Sequence, residues 1–204
     1  MVPLLVAVIG GYLLGSVPVA VPVCRVYGFD PREVGDRNPG FWNVQERIGW
    51  QAAMPVFVGD VFKGTLAGLL ALVVSGLHTT DSGGVSGDSV APVYLAVAAA
   101  MAGHAWPVFA GFRGGRSILT FVGGFAVICP QGFLLGVAAV VAIGMAARSF
   151  TIGARAGVFG VPPLQLLFAP VEHVAWTCLL IGLIGLRFGQ AARTGRLERA
   201  GHRP

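Results

Sequence analysis

Arg113-Gly114-Gly115-Arg116 closes the stretch GHAWPVFAGFRGGR at residues 103–116, and its chemistry is that of an anion site. Guanidinium forks match phosphate oxygens two at a time. The glycine pair lets backbone approach a ligand closely, and the apolar block that begins just after Arg116 offers the unpaired N–H groups of a helix N-terminus. Upstream in the same stretch, Pro107 cannot donate to the carbonyl of Gly103, so the helix is expected to kink and leave polar backbone beside His104. The plain alternatives are two interfacial arginines that snorkel toward water and a histidine satisfied inside the core.

Two more polar groupings stand out. GFDPREVGDRNPGFWNV, residues 28–44, carries Asp36, Asn38, Gly40 and Asn43, with Arg47 just beyond. Its N-P-G turn can align consecutive N–H groups into an anion-binding nest, although a solvated connector explains the composition equally well. In GDVFKG, residues 59–64, Asp60 and Lys63 are three apart on one helix face and can neutralise each other. A structural ion pair is the first reading there, and a direct substrate role for Lys63 is the second.

The elements that must position these groups belong to a membrane protein. Of 204 residues 55% are hydrophobic and only 11% charged, with a mean hydropathy of +0.76, against about 25% charged in a soluble domain. Apolar blocks run over 2–24, 51–77, 90–110, 117–129, 132–147, 156–169 and 172–187. The first has no basic segment before it, so it reads as a retained transmembrane helix, not a cleaved signal. The last four are shorter than the roughly 20 residues of a full span. Seven helices are expected, with breaks at C-P-Q-G (129–132) and A-P-V-E (169–172); fusing the short pairs into long helices leaves five. The fold class is therefore an all-α polytopic helix bundle forming one domain over 1–204.

Charge sets the orientation. Thirteen arginines and one lysine give a net charge of +5, and they fall between the apolar blocks instead of lining one water-facing element. That placement points to lipid headgroups or an anionic substrate, not nucleic acid. Putting the 25–50 loop in the cytoplasm brings Arg113, Arg116, Arg148, Arg155 and the basic tail 188–204 to the same side. The Gly/Ser linker at 78–89 lies outside, so the N-terminus is outside and the C-terminus cytoplasmic. Cys24, Cys129 and Cys178 have no metal-ligand spacing and read as packing residues; no metal and no cofactor are expected.

At these places the chain resembles the bacterial acyl-phosphate:glycerol-3-phosphate acyltransferases, the PlsY family. The likeness runs from GSVP at 15–18 through the 28–44 stretch and Asp60-x-x-Lys63-Gly64 to GHAWPVFAGFRGGR. It implies a multi-pass protein of the bacterial plasma membrane with its active site on the cytoplasmic face. Such a protein moves a fatty acyl group from acyl phosphate to glycerol 3-phosphate or a related phosphorylated acceptor. An acyl phosphate is already activated, so the reaction needs a phosphate clamp, a base near the attacking hydroxyl and a groove for the chain. The resemblance puts His104, Asn38 and Asp36 in catalytic positions. It puts Asn43, Arg113, Gly114, Gly115, Arg116, Gly40, Arg47 and Lys63 in substrate-binding ones.

The departures are specific. Asp36 stands where the family has serine, Glu46 where it has arginine, and Ser117-Ile118-Leu119 where it has a run of small residues. The third motif, a histidine and an asparagine after an arginine, is replaced: from Arg187 the chain reads RFGQAARTGRLERAG, with Phe188 and Ala191 at those places. Two rivals follow, a homologue that kept the fold as a lipid-binding or regulatory protein, and a small-molecule transporter.

Overall fold

The computed structural model describes residues 1–79, 85–86 and 89–201, the side chains of Thr79, Ser86 and 195–201 excepted. The middle of the Gly/Ser linker, the outer part of the basic tail and His202 lie outside what is described. The described residues form nine α-helices: α1 (Val2–Gly15), α2 (Ala20–Val26), α3 (Phe41–Arg47), α4 (Trp50–Ser75), α5 (Ala91–Ala105), α6 (Ile118–Ile128), α7 (Pro130–Ala146), α8 (Phe150–Gln165) and α9 (Val171–Gly201). A 3-10 turn spans Val108–Ala110, and two-residue strands at His78–Thr79 and Val85–Ser86 pair antiparallel. Among the described residues, four stretches are long and apolar enough to cross a membrane: Val2–Val26, Trp50–Ser75, Ala91–Ala110 and Val171–Thr194.

Every apolar block became helical, and the differences lie at the breaks. The first block is two helices, because Pro18 has no N–H to continue α1 and the chain runs irregularly from Ser16 to Val19. The expected kink at Pro107 is a full stop: α5 ends at Ala105, and Pro107 is extended, with ψ 124°. α8 starts at Phe150, earlier than the 156–169 block, where the Ser149 hydroxyl caps it by accepting from the amide of Ile152 at 3.4 Å. Cys129, at φ −148°, separates α6 from α7, and residues 166–170 separate α8 from α9, so the short blocks are not fused pairs.

α5 is the axis of the bundle. α1 packs on it along most of its length, α4 packs on α1, α5 and α6, and α7 packs on α8. The α1–α5 contact is backbone against backbone: a Cβ at Gly11 or Gly15 would collide with the carbonyls of Ala96 and Ala100. One apolar core gathers Val93, Val97, Met101, Phe121, Phe125 and Ile128 around α5 and α6. A second, with Cys24, Phe41, Val44, Ala53 and Val56, pins the short α3 between α2 and α4. That second core anchors the far end of the polar loop. Cys24 and Cys129 are buried as expected, but Cys178 is exposed on α9.

Candidate active site

The breaks in α1–α2 and at the end of α5 face each other, and a small cleft, partly open to the outside, lies between them. Its walls include Pro39, Asp60, Lys63, His104, Arg113 and the Gly114–Gly115 pair. Unwound backbone at this depth is tolerated where it lines a cavity or finds partners. Here the Val17 carbonyl accepts from Lys63 Nζ at 3.3 Å, and the Ser16 hydroxyl accepts from the Val108 amide at 3.4 Å.

A buried charge cluster forms the floor. Asp60, Lys63 and His104 are 2%, 6% and 7% exposed. Asp60 Oδ1 lies 2.9 Å from Lys63 Nζ, as the i,i+3 spacing implied. The same oxygen lies 3.4 Å from His104 Nδ1, an electrostatic contact without hydrogen-bond alignment. Sequence reasoning missed this second partner. The available signal was an Asp one helical turn from a Lys inside an apolar block, since a carboxylate can accept from more than one donor. With Nδ1 toward Asp60, the opposite ring edge, Nε2, meets the glycine pair.

The glycines are required by closeness. A Cβ at Gly115 would strike His104 Nε2, and one at Gly114 would strike the His104 carbonyl. That carbonyl, freed by the end of α5, accepts from the Gly115 amide at 3.0 Å. Met101 O, one turn earlier, accepts from the Ser117 hydroxyl at 2.7 Å, and Trp106 O from the Tyr12 hydroxyl at 2.8 Å. The last turn of α5 is thus stitched to the RGGR loop on one side and to α1 on the other.

The 28–40 loop covers this assembly. Arg32 forks onto Asp30, with Nε 2.9 Å and 3.1 Å from its two carboxylate oxygens, and also donates to Ala110 O at 2.9 Å. Arg113 donates in return to Arg32 O at 3.3 Å. Hydrogen bonding from Arg32 holds the Asp30 carboxyl down at about 2. A carboxyl lowered on folding stabilises at neutral pH, and the contribution fades as the pH falls through the ordinary carboxylate range toward 2.

The predicted site residues separate into groups. Lys63, His104, Arg113, Gly114 and Gly115 line the cleft, as does Pro39, whose chain neighbours Asn38 and Gly40 are not in its wall. Asn43 is buried and turned into its own loop, where its amide donates to Pro31 O at 2.9 Å and Val34 O at 3.0 Å. Gly35, at φ +64°, allows that packing, since a Cβ there would strike Asn43 Oδ1. Arg116 is engaged beside the cleft: Nη1 lies 2.9 Å from Asp36 Oδ2, and its guanidinium stacks on the Phe188 ring at 4.7 Å. Asp36, in the covering loop, is therefore tied to Arg116. Arg47 and Glu46 are exposed on α3.

The chain is similar to known proteins over nearly its whole length. Residues 5–194 match the family model described as Glycerol-3-phosphate acyltransferase. A Glycerol-3-phosphate acyltransferase of Neisseria meningitidis serogroup C is 35% identical over 181 residues, 88% of this chain and 86% of the relative. The Glycerol-3-phosphate acyltransferase 3 of Dehalococcoides mccartyi is 36% identical over 183 residues, covering 86% and 84%. Among solved structures, the glycerol 3-phosphate form of PlsY, an integral membrane glycerol 3-phosphate acyltransferase, superposes with a TM-score of 0.76 at 26% identity. It covers 97% of this chain and 92% of that one.

Proposed function

The chain belongs to the glycerol-3-phosphate acyltransferase family of integral membrane enzymes, and from that premise we propose that it transfers a fatty acyl group from acyl phosphate to glycerol 3-phosphate. The observation that carries this reading is the single cleft in which His104, Lys63, Arg113 and the Gly114–Gly115 backbone meet. In the proposed step the glycerol hydroxyl attacks the acyl carbonyl carbon while His104 Nε2 accepts its proton, with Asp60 beside Nδ1 favouring the imidazolium that forms. The carbonyl–phosphate bond breaks, inorganic phosphate leaves toward Arg113 and Arg116, and His104 passes the proton on to it. A neutral imidazole returns, and lysophosphatidic acid remains.

Asn38 and Gly40, on either side of the cleft-wall residue Pro39, orient the acceptor, and Asn43 acts through the shape of its loop. Asp36 has two readings: a group in the chemistry, or the anion that a phosphoryl group displaces from Arg116. Its 2.9 Å pair with Arg116 favours displacement. Arginine placement supports seven spans with the N-terminus outside and the site at the cytoplasmic face of a bacterial plasma membrane. Relatives named as enzymes over most of their length support an active acyltransferase above the lipid-binding and transporter alternatives.

Purified protein incubated with palmitoyl phosphate and labelled glycerol 3-phosphate tests this reading. Labelled lysophosphatidic acid is the expected product. Its formation from palmitoyl-CoA but not from palmitoyl phosphate would overturn the donor, and no product from either would overturn the reaction.

A further inference from the structure

Arg187, on α9, has no part in the step above, yet it is bound more tightly than either arginine of the RGGR loop. Its Nε donates to Gly115 O at 3.2 Å, its Nη2 to Gly114 O at 3.1 Å and its Nη1 to Gln190 Oε1 at 2.8 Å. The guanidinium also lies 5.1 Å from the ring centroid of Trp106, the residue that caps α5. A rigid planar fork spans two consecutive carbonyls, a match that the point charge of lysine does not reproduce.

The C=O and N–H of a trans peptide point in opposite directions. Holding Gly114 O on Arg187 therefore sends the Gly115 N–H the other way, to His104 O at 3.0 Å. Holding Gly115 O likewise turns the Arg116 N–H away from Arg187, and no acceptor among the described residues meets it. We infer that Arg187 is a positioning residue: by clamping the carbonyls of Gly114 and Gly115 it fixes the RGGR backbone in the shape that presents the Arg116 amide to an anion and seats the loop against His104. The inference rests on the proposed phosphate-binding role of that loop.

The test uses the full chain in detergent, comparing wild type with Arg187→Lys, Arg187→Ala and Arg116→Ala. Turnover of palmitoyl phosphate, inhibition by inorganic phosphate and thermal melting are followed. Arg187→Lys keeps the charge and loses the fork, so kcat/KM is expected to fall roughly 10- to 100-fold, as for loss of hydrogen bonds from a charged group. Phosphate inhibition should weaken about tenfold with little change in melting. Millimolar guanidinium should restore part of the rate to Arg187→Ala, which a general loss of structure would not allow. Wild-type constants in Arg187→Lys, or a rate loss matched by collapsed melting and not rescued, would overturn the inference. If the Arg187 variants do not fold, Gln190→Ala removes only the Nη1 acceptor. Weaker phosphate inhibition is then expected, and unchanged inhibition overturns the inference. Normal KM and normal phosphate inhibition in Arg116→Ala would instead overturn the phosphate loop itself.

Discussion

Two ends of α5 carry buried polar clusters of opposite character. At the C-terminal end, Asp60, Lys63 and His104 put formal charges against the wall of an open cleft. At the N-terminal end, ten residues away and so about 15 Å along the axis, Tyr94 takes a hydrogen bond from Gln165 Nε2 at 3.0 Å and donates to His173 O at 3.0 Å. Tyr94 stacks on Trp176, their centroids 5.8 Å apart. Both clusters are almost fully buried, so burial does not tell them apart. The difference is charge and opening: a charge inside a membrane is costly and is kept where it works, whereas neutral hydrogen bonds between helices act as glue. Tyr94, Gln165 and His173 join α5, α8 and α9; Asp60, Lys63 and His104 join α4 and α5 at the wall of the cleft.

The sharpest break of this comparison is His104→Ala. Loss of a general base lowers kcat roughly 100- to 10,000-fold, measured as lysophosphatidic acid formed from palmitoyl phosphate, while melting changes little. Unimpaired turnover would remove the proton-transfer role. Asp60→Asn comes next. It strands Lys63 without its counter-charge, and breaking a buried pair costs about 3–5 kcal/mol, read as a lower melting temperature. Asp60→Asn with Lys63→Met should recover most of that stability and still be inactive. A stable, active double variant would make the charged cluster as structural as the neutral one.

Much of this was legible before any fold was known. RGGR, GHAWP and Asp60-x-x-Lys63 are contiguous and chemically distinctive, and each lies where the sequence placed it, at a helix end or on one helix face. What stayed hidden depended on contacts between distant segments. Nothing local to Asp60 reveals that His104, 44 residues on, meets its carboxylate. Nothing local to Arg187 reveals the Gly114 and Gly115 carbonyls, 73 and 72 residues back. The sequence places 41–47 inside the 25–50 loop, whereas Phe41 and Val44 make it a helix, α3, by burying against Val56 and Cys24. At Pro107 the proline rule predicts a lost hydrogen bond but not the chain's path afterwards, which Tyr12 and Gly115 decide by donating to the freed carbonyls of Trp106 and His104.

Asp36→Asn sharpens the comparison within the charged end. Asp36 is 41% exposed at its side chain, and exposed ion pairs are worth about 0.2–1 kcal/mol. Releasing Arg116 should therefore tighten inhibition by inorganic phosphate about two- to fivefold at most, with kcat retained. A collapse of kcat would assign Asp36 to the chemistry instead.

The smallest effect is expected at the neutral end, and there the sign of the activity result matters more than its size. Tyr94→Phe keeps the ring against Trp176 and deletes only the hydroxyl that links Gln165 to the His173 carbonyl. Hydrogen bonds between membrane helices are worth about 0.6 kcal/mol on average and up to about 1.7, so melting should fall slightly. kcat and KM should stay at wild-type values, because neither Gln165 nor His173 lines the cleft. A clear loss of turnover with unchanged melting would mean that α5 transmits the state of one end to the other, and the two clusters would then have to be treated as one device.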